Sequence, residues 1–426
     1  GAPGAGQKKP KAPPTTFPMP PDTRPAGCKA QVPDPEGRNY EDLKVSIIIP
    51  YRQEKWEHIT SSIDSILYFT SKKLISEIML VSDGNGPEAV FAEELRKKSK
   101  LISLLVLPSP GSGLIEAKMR AVGATALESK VLVFLEPHIR VNRHWLEPML
   151  YRIRKYPKVL AMPFLDPIPQ DDFSQYLQGQ YGHWRFEWNL NLVYTNPYDK
   201  TIPMPLEPYP TPATSGGIFA IRKDWWNELG FYDAGMIGWG GDHVEATFKV
   251  WRCGGHIDMI PCSRVGHLFR DPVNRPYDVQ VNQVIRNYGR IAAVWMDDHL
   301  ESFYKVKPEA RTMNLGNLTE PLALKERLRC KNMQWYLDNV DAELKWEKDN
   351  ICIPGCDRKA QGNQCCRGKM AAHGRSTLDV SMPGRLYKMP HATAAAAAAA
   401  SAMPRDDVNS AMPRDEVEGE EGWTEL

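Results

Sequence analysis

The chain of 426 residues lacks any long apolar run. No window approaches the roughly 18 consecutive apolar residues that a membrane helix needs, and no apolar segment near the start precedes a small-residue cleavage site. It opens on Gly, not Met, so the sequence reads as a fragment with any membrane anchor expected upstream. An excess of charge of one sign is also missing. Lys and Arg number 53 against 52 Asp and Glu, a net charge of +1 that argues against a nucleic-acid or polyacid binder and leaves a small anionic ligand open. There is no Walker A loop, no Gly-x-Gly-x-x-Gly fingerprint and no Cys-x-x-Cys. These absences argue against the P-loop and dinucleotide-binding classes and count against a zinc site.

What is present is an ordinary globular composition, 42% hydrophobic and 25% charged, enough for a sizeable core. Eight Cys, an even number, suit disulfides formed in a secretory compartment, with reduced core thiols as the alternative for any one of them. One Asn-x-Thr triplet, Asn317-Leu318-Thr319, fits that compartment. Residues 1–40, rich in Pro, Gly and Lys, read as a flexible stem, with Cys28 able to tether it. From about 346 the chain becomes a low-complexity tail with Cys352, Cys356, Cys365 and Cys366, an Ala run and a repeated Ser-Ala-Met-Pro-Arg-Asp, expected to be disordered. For that Cys cluster two disulfides are favoured over zinc.

Between these ends strands and helices alternate. The β-branched run Val45-Ser46-Ile47-Ile48-Ile49-Pro50 reads as a buried strand, residues 57–69 as a helix, and Glu77-Ile78-Met79-Leu80-Val81 as a second strand ending in Ser82-Asp83-Gly84. A βαβ unit predicts an α/β sheet with ligands at the strands' carboxyl ends, which places Asp83 to accept from a nucleobase or ribose, or simply to cap its turn. A helix over 89–100, a strand over 102–107, and a Gly-rich loop at 110–113 leading into a helix with Lys118 follow, the loop being a weak anion-site signal. Strand 131–135 delivers Glu136-Pro137-His138. An acid and an imidazole two apart on a strand project to one side, a set suited to Mn²⁺, or Mg²⁺ in its place, holding a diphosphate, or else a structural pair; His267 is a candidate third ligand.

Further on, a helix is expected over 145–153, a strand over 159–164 and a long irregular loop over 166–214. Its aromatic run His183-Trp184-Arg185-Phe186-Glu187-Trp188 is either a binding platform or core. The paired Gly216 and Gly217 allow close backbone approach. The densest chemistry runs from Trp239-Gly240-Gly241-Asp242-His243 through a helix over 242–253, with one apolar face at 244, 248 and 251, to His267 and Arg270. Residues 270–290 read as a lid or surface loop, and 322–337 as helix.

Trp145-Leu146-Glu147-Pro148, Phe186-Glu187-Trp188-Asn189-Leu190, Trp239-Gly240-Gly241, Trp251-Arg252-Cys253-Gly254-Gly255, Val294-Trp295-Met296-Asp297 and Trp335-Tyr336-Leu337 occur in one order. In these motifs the chain resembles the polypeptide N-acetylgalactosaminyltransferases over about residues 43–344. The resemblance implies an α/β GT-A (Rossmann-like) glycosyltransferase fold, a mixed central sheet flanked by helices. It implies a nucleotide-binding half over 41–160 and a sugar and acceptor half over 161–345, without the family's ricin-type lectin domain. By the same resemblance Asp83 binds uridine, Glu136, His138 and His267 hold the metal, Trp239 gates the donor site and Arg270 contacts the diphosphate. Lys118, Gly216, Gly217 and Tyr277 complete the donor-binding set, and Asp242 faces sugar or acceptor. The pairs Cys28–Cys262 and Cys253–Cys330 match the family's disulfides.

Five positions depart from the family pattern: Ser82 for Asp, Lys118 for Arg, Glu136 for Asp, Asp242 for Glu and His243 for Asn. The implied activity is a Mn²⁺-dependent, retaining transfer of GalNAc or a related HexNAc from a UDP-sugar to Ser or Thr of a polypeptide in the Golgi lumen. An impaired homologue that binds UDP-sugar or protein is the alternative. A processive polysaccharide synthase, suggested by Gln180-Tyr181-Gly182-His183-Trp184, is disfavoured by the lack of membrane spans.

Overall fold

The first apolar run forms β1 (Val45–Tyr51), buried along its whole length. Its side chains alternate: Ile47 and Ile49 enter one hydrophobic cluster and Ile48 the other, so the sheet separates two cores. In a computed structural model, residues 17–30, 39–195, 204–270 and 275–348 are described. They belong to a single unit by contact, spanning Gly1–Tyr387.

The strands after β1 are β2 (Ile75–Asp83), β3 (Ile102–Leu107), β4 (Val131–Phe134), β5 (Ile139–Val141) and β6 (Val159–Ile168). A hairpin of β7 (His183–Phe186) and β8 (Leu192–Thr195) precedes β9 (Tyr209–Pro210), β10 (Phe219–Arg222) and β11 (His256–Leu268). Nine strands form one mixed sheet in the order β3-β2-β1-β4-β10-β6-β11-β5, with β9 paired to β11. Strands from both sides of residue 160 share it. β2 and β4 run parallel to β1 and β11 parallel to β6, while β10 is antiparallel to both β4 and β6. It follows that β1, β2, β4, β6 and β11 all end at the same edge, where an open α/β sheet binds its ligand.

Several sequence expectations need correction. The helix over 89–100 is two pieces, Pro87–Val90 and Ala92–Lys98, broken where Phe91 adopts φ +53°. The loop expected over 166–214 contains the end of β6, the β7–β8 hairpin and β9, because frequent Pro hides the short strands. The lid expected over 270–290 gives way at Val281 to the helix Val281–Trp295. Residues 322–337 divide between the helices Thr319–Arg327 and Met333–Asn339. The helix Asp242–Arg252 is buried at every position except His243, not along one face.

The described part of the stem packs on the body. Asn142 donates to the Pro21 carbonyl at 2.7 Å, Thr23 donates to Asp166 at 2.6 Å, and Cys28 is joined to Cys262. Cys253 is joined to Cys330, as the resemblance implies. The four-Cys cluster and the repeats lie outside the described residues.

Candidate active site

Glu136 and His138 lie in the turn between β4 and β5, past the last residue of the strand. Strand alternation therefore does not align them; the register of β5 does. Ile139 pairs with His267 of β11, and Leu268 N–H donates to the His138 carbonyl at 3.2 Å. The Ser62 hydroxyl, fully buried on the helix Trp56–Phe69, accepts from Ile139 N–H at 3.1 Å and lies 2.9 Å from the Pro137 carbonyl. The result is one Glu136 Oε2 atom 2.9 Å from His138 Nε2 and 3.0 Å from His267 Nε2. The three groups' ligand atoms fall within 4.8 Å of one another.

A cavity of about 450 Å³ opens beside them. Its wall carries Glu136, His138, Lys118, Gly216, Gly217, Trp239, Asp242, Arg270 and Tyr277, nine of the eleven residues anticipated from sequence. His267 joins through Glu136. Asp83 does not reach the wall: fully buried, it accepts from Ser112 N–H at 2.7 Å and Gly113 N–H at 3.0 Å and pairs with Arg52 at 3.3 Å. The Gly-rich loop thus directs its N–H groups at an internal carboxylate. A Cβ at Gly217 would stand 2.9 Å from Glu136 Oε1 and displace that carboxylate, and Gly216 is needed for its φ of +115°.

The residue that sequence reading missed is Glu54. Buried just beyond β1, its Oε2 lies 3.0 Å from His138 Nδ1, and its Oε1 lies 2.7 Å from His58 Nδ1 and 2.6 Å from Arg270 Nη2. Burial alone would raise its carboxyl, but His138, His58 and Arg270 outweigh that and hold it far below the carboxylate range. A carboxylate on Nδ1 fixes the tautomer and ring of His138 and leaves Nε2 facing Glu136. The signal was available: Arg52-Gln53-Glu54 follows the first strand just as Asp83 ends the second.

Burial likewise opposes ionisation of Glu136, and His267 and His138 more than reverse it, keeping the carboxylate charged. For His138, burial is overcome by Glu136 and Glu54, so its pKa is raised; for His267 burial prevails and its pKa is lowered. A charged carboxylate with two imidazoles is a donor set that accepts Mn²⁺. Among the described residues His267 Nδ1 is buried with no hydrogen-bond partner, unlike His138 Nδ1, which Glu54 engages.

Across the cavity Lys118 Nζ lies 2.5 Å from Asp242 Oδ2, and His243 Nδ1 lies 3.6 Å from Asp242 Oδ1. Desolvation would raise Asp242, but Lys118 and then His243 hold it well below the usual range. The loop carrying Trp239 is braced by the helix Val281–Trp295. Asn287, fully buried, donates to the Ile237 and Gly240 carbonyls at 2.8 Å each, and Gln283 donates to the Trp239 carbonyl at 2.8 Å. The Arg275 guanidinium sits 4.1 Å from the Trp239 ring centre. Of the aromatic run, Phe186 and Trp188 are core, whereas Trp184 stays half-buried 6.4 Å from the exposed Phe269.

Residues 46–230 match the profile of glycosyl transferase family 2, and residues 197–271 that of the N-terminal domain of galactosyltransferase. The inactive polypeptide N-acetylgalactosaminyltransferase-like protein 5 of Macaca fascicularis is 37% identical over 70% of this chain and 68% of its own length. The chain belongs to the polypeptide N-acetylgalactosaminyltransferase family. Polypeptide N-acetylgalactosaminyltransferase 4 of Caenorhabditis elegans is 34% identical over 79% of this chain, which spans 60% of that relative. The crystal structure of GalNAc-T7 with UDP, GalNAc and Mn²⁺ superposes with a TM-score of 0.68 and 26% identity, covering 78% of this chain and 62% of that one. The fold of this family member is therefore the GT-A glycosyltransferase fold.

Proposed function

We propose that this chain transfers GalNAc, or a related HexNAc, from a UDP-sugar to Ser or Thr hydroxyls of polypeptides in the Golgi lumen, with retention at the anomeric carbon. The observation that carries the reading is the Glu136–His138–His267 group beside Arg270 and across one cavity from the Lys118–Asp242 pair. These three residues would hold Mn²⁺, which supplies charge stabilisation to the diphosphate when bound. Arg270, fixed by Glu54, donates to the diphosphate oxygens as negative charge builds there. Trp239 and Tyr277 wall the donor and exclude water, and Asp242 orients sugar or acceptor hydroxyls. The acceptor oxygen forms the new bond to the anomeric carbon as the bond to phosphate breaks, and the acceptor proton passes to the departing phosphate oxygen. Asp83 supports the uridine side by shaping the loop at 110–113 and by holding Arg52.

A second reading has its own observation. The acid facing the sugar is already engaged by Lys118 at 2.5 Å, which favours a homologue that binds donor without turnover. A panel of UDP-sugars with a Ser/Thr-rich peptide, with and without Mn²⁺, separates the two. Metal-dependent transfer from UDP-GalNAc supports catalysis; transfer only from another donor overturns the GalNAc assignment; Mn²⁺-dependent UDP binding without transfer establishes the second reading.

A further inference from the structure

A second cavity, of about 650 Å³, shares no lining residue with the first. Its wall includes Asn317, Glu320, Leu324, Arg286 and Arg327. Asn317 opens Asn317-Leu318-Thr319, the single Asn-x-Ser/Thr triplet in the 426 residues. It lies in the short connection between the 3-10 helix ending at Thr312 and the helix Thr319–Arg327, where Asn317 and Thr319 are both exposed.

We propose that Asn317 is a site of N-linked glycosylation. The side chain is already turned for it. Oδ1 accepts from Thr319 N–H at 2.8 Å, while Nδ2, the atom that would be modified, has no hydrogen bond among the described residues. The adjoining cavity gives the first sugar open space, with Glu320 and Arg327 at hand for its hydroxyls. The closed bridges Cys28–Cys262 and Cys253–Cys330 place the chain in an oxidising compartment, the setting in which such triplets are modified. In the transfer, Nδ2 bonds to C1 of the first N-acetylglucosamine of a lipid-pyrophosphate-linked oligosaccharide. The bond from C1 to pyrophosphate oxygen breaks, the lipid pyrophosphate departs with the electron pair, and Nδ2 gives up one proton.

The inference rests on the lumenal location in the proposed function but not on catalysis, and the two are tested apart. The full chain is expressed behind a secretion signal in eukaryotic cells and recovered from the medium, which means that it has crossed the lumen. Peptide mapping is expected to find a glycan on Asn317 that an N-glycan amidase removes, leaving Asp. Asn317→Gln and Thr319→Ala remove it and Thr319→Ser retains it, each with UDP-sugar turnover unchanged. Secreted protein with Asn317 bare overturns the proposal, whether or not the enzyme is active. Loss of turnover with the glycan present counts against the catalytic reading alone.

Discussion

Asp242 and Lys118 are 8% exposed apiece, which makes their pairing a matter of stability as well as chemistry. Removing one partner of a buried pair leaves an uncompensated charge at a cost of about 3–5 kcal/mol, whereas replacing both by apolar groups is often near neutral. Asp242→Asn is therefore expected to lower unfolding free energy by about 3 kcal/mol, and Asp242→Leu with Lys118→Met to recover most of it. Additive losses in chemical denaturation would show that the two side chains are not coupled. At the metal group the decisive neighbour is Glu54, which touches no substrate and acts through His138 and Arg270. Glu54→Gln keeps the shape but loses the carboxylate charge that orients both His138 and Arg270. Mn²⁺ affinity by titration calorimetry is expected to fall about 10–100-fold, the range seen for such supporting partners. An unchanged affinity would mean that His138 is oriented by Glu136 alone.

The helix Val281–Trp295 is the element on which the donor side depends, because it holds the loop of Trp239 from behind. Asn287 makes three hydrogen bonds to that loop, two donated and one accepted from Ile237 N–H at 3.1 Å. Asn287→Ala frees the loop without touching the cavity wall, so the KM for the UDP-sugar is expected to rise about 10-fold, roughly 1.4 kcal/mol, with a smaller change in kcat. A change confined to kcat would assign Asn287 to the chemical step instead. This helix is also where sequence reading fell short. Its first turn, Val281-Asn282-Gln283, is mostly exposed and follows Pro272 and Pro276, so the polar, Pro-marked segment reads as loop although Val281, Val284, Ile285 and Tyr288 already carry a helical spacing. β6 was underestimated for a related reason. It carries Pro163 and Pro167, which a central strand rarely tolerates. They fit because β10 pairs only with Leu160 and Ala161, leaving that edge free beyond them. Glu136, His138 and Arg270 were legible as chemistry at the ends of strands. Their convergence was not, since it comes from the β5–β11 register and the Ser62 clamp, contacts that no local pattern encodes.

Over the whole molecule, the sheet, the two bridges and the packed stem give a fold whose stability depends on pH through histidines largely shielded from water. His183 on β7 is the clearest case outside the metal group. Burial, with Arg185 beside it, pushes its pKa down from the usual 6.5 to about 4, and Glu343 at 4.0 Å does not reverse this. The folded chain therefore keeps His183 neutral between about pH 6.5 and pH 4, while the unfolded chain protonates it. Across that window the unfolded state binds more protons, so stability falls as pH falls and is fully present above pH 6.5. A depression of this size corresponds to about 2–3 kcal/mol lost by pH 4. His183→Gln has no such equilibrium, so the difference in unfolding free energy between the parent and this variant should change by about that amount between pH 7 and pH 4.5. Carboxylates and the remaining histidines titrate in both proteins and largely cancel in the difference. Parallel stability profiles for the two would show that His183 is protonated as readily in the folded chain as in the unfolded one.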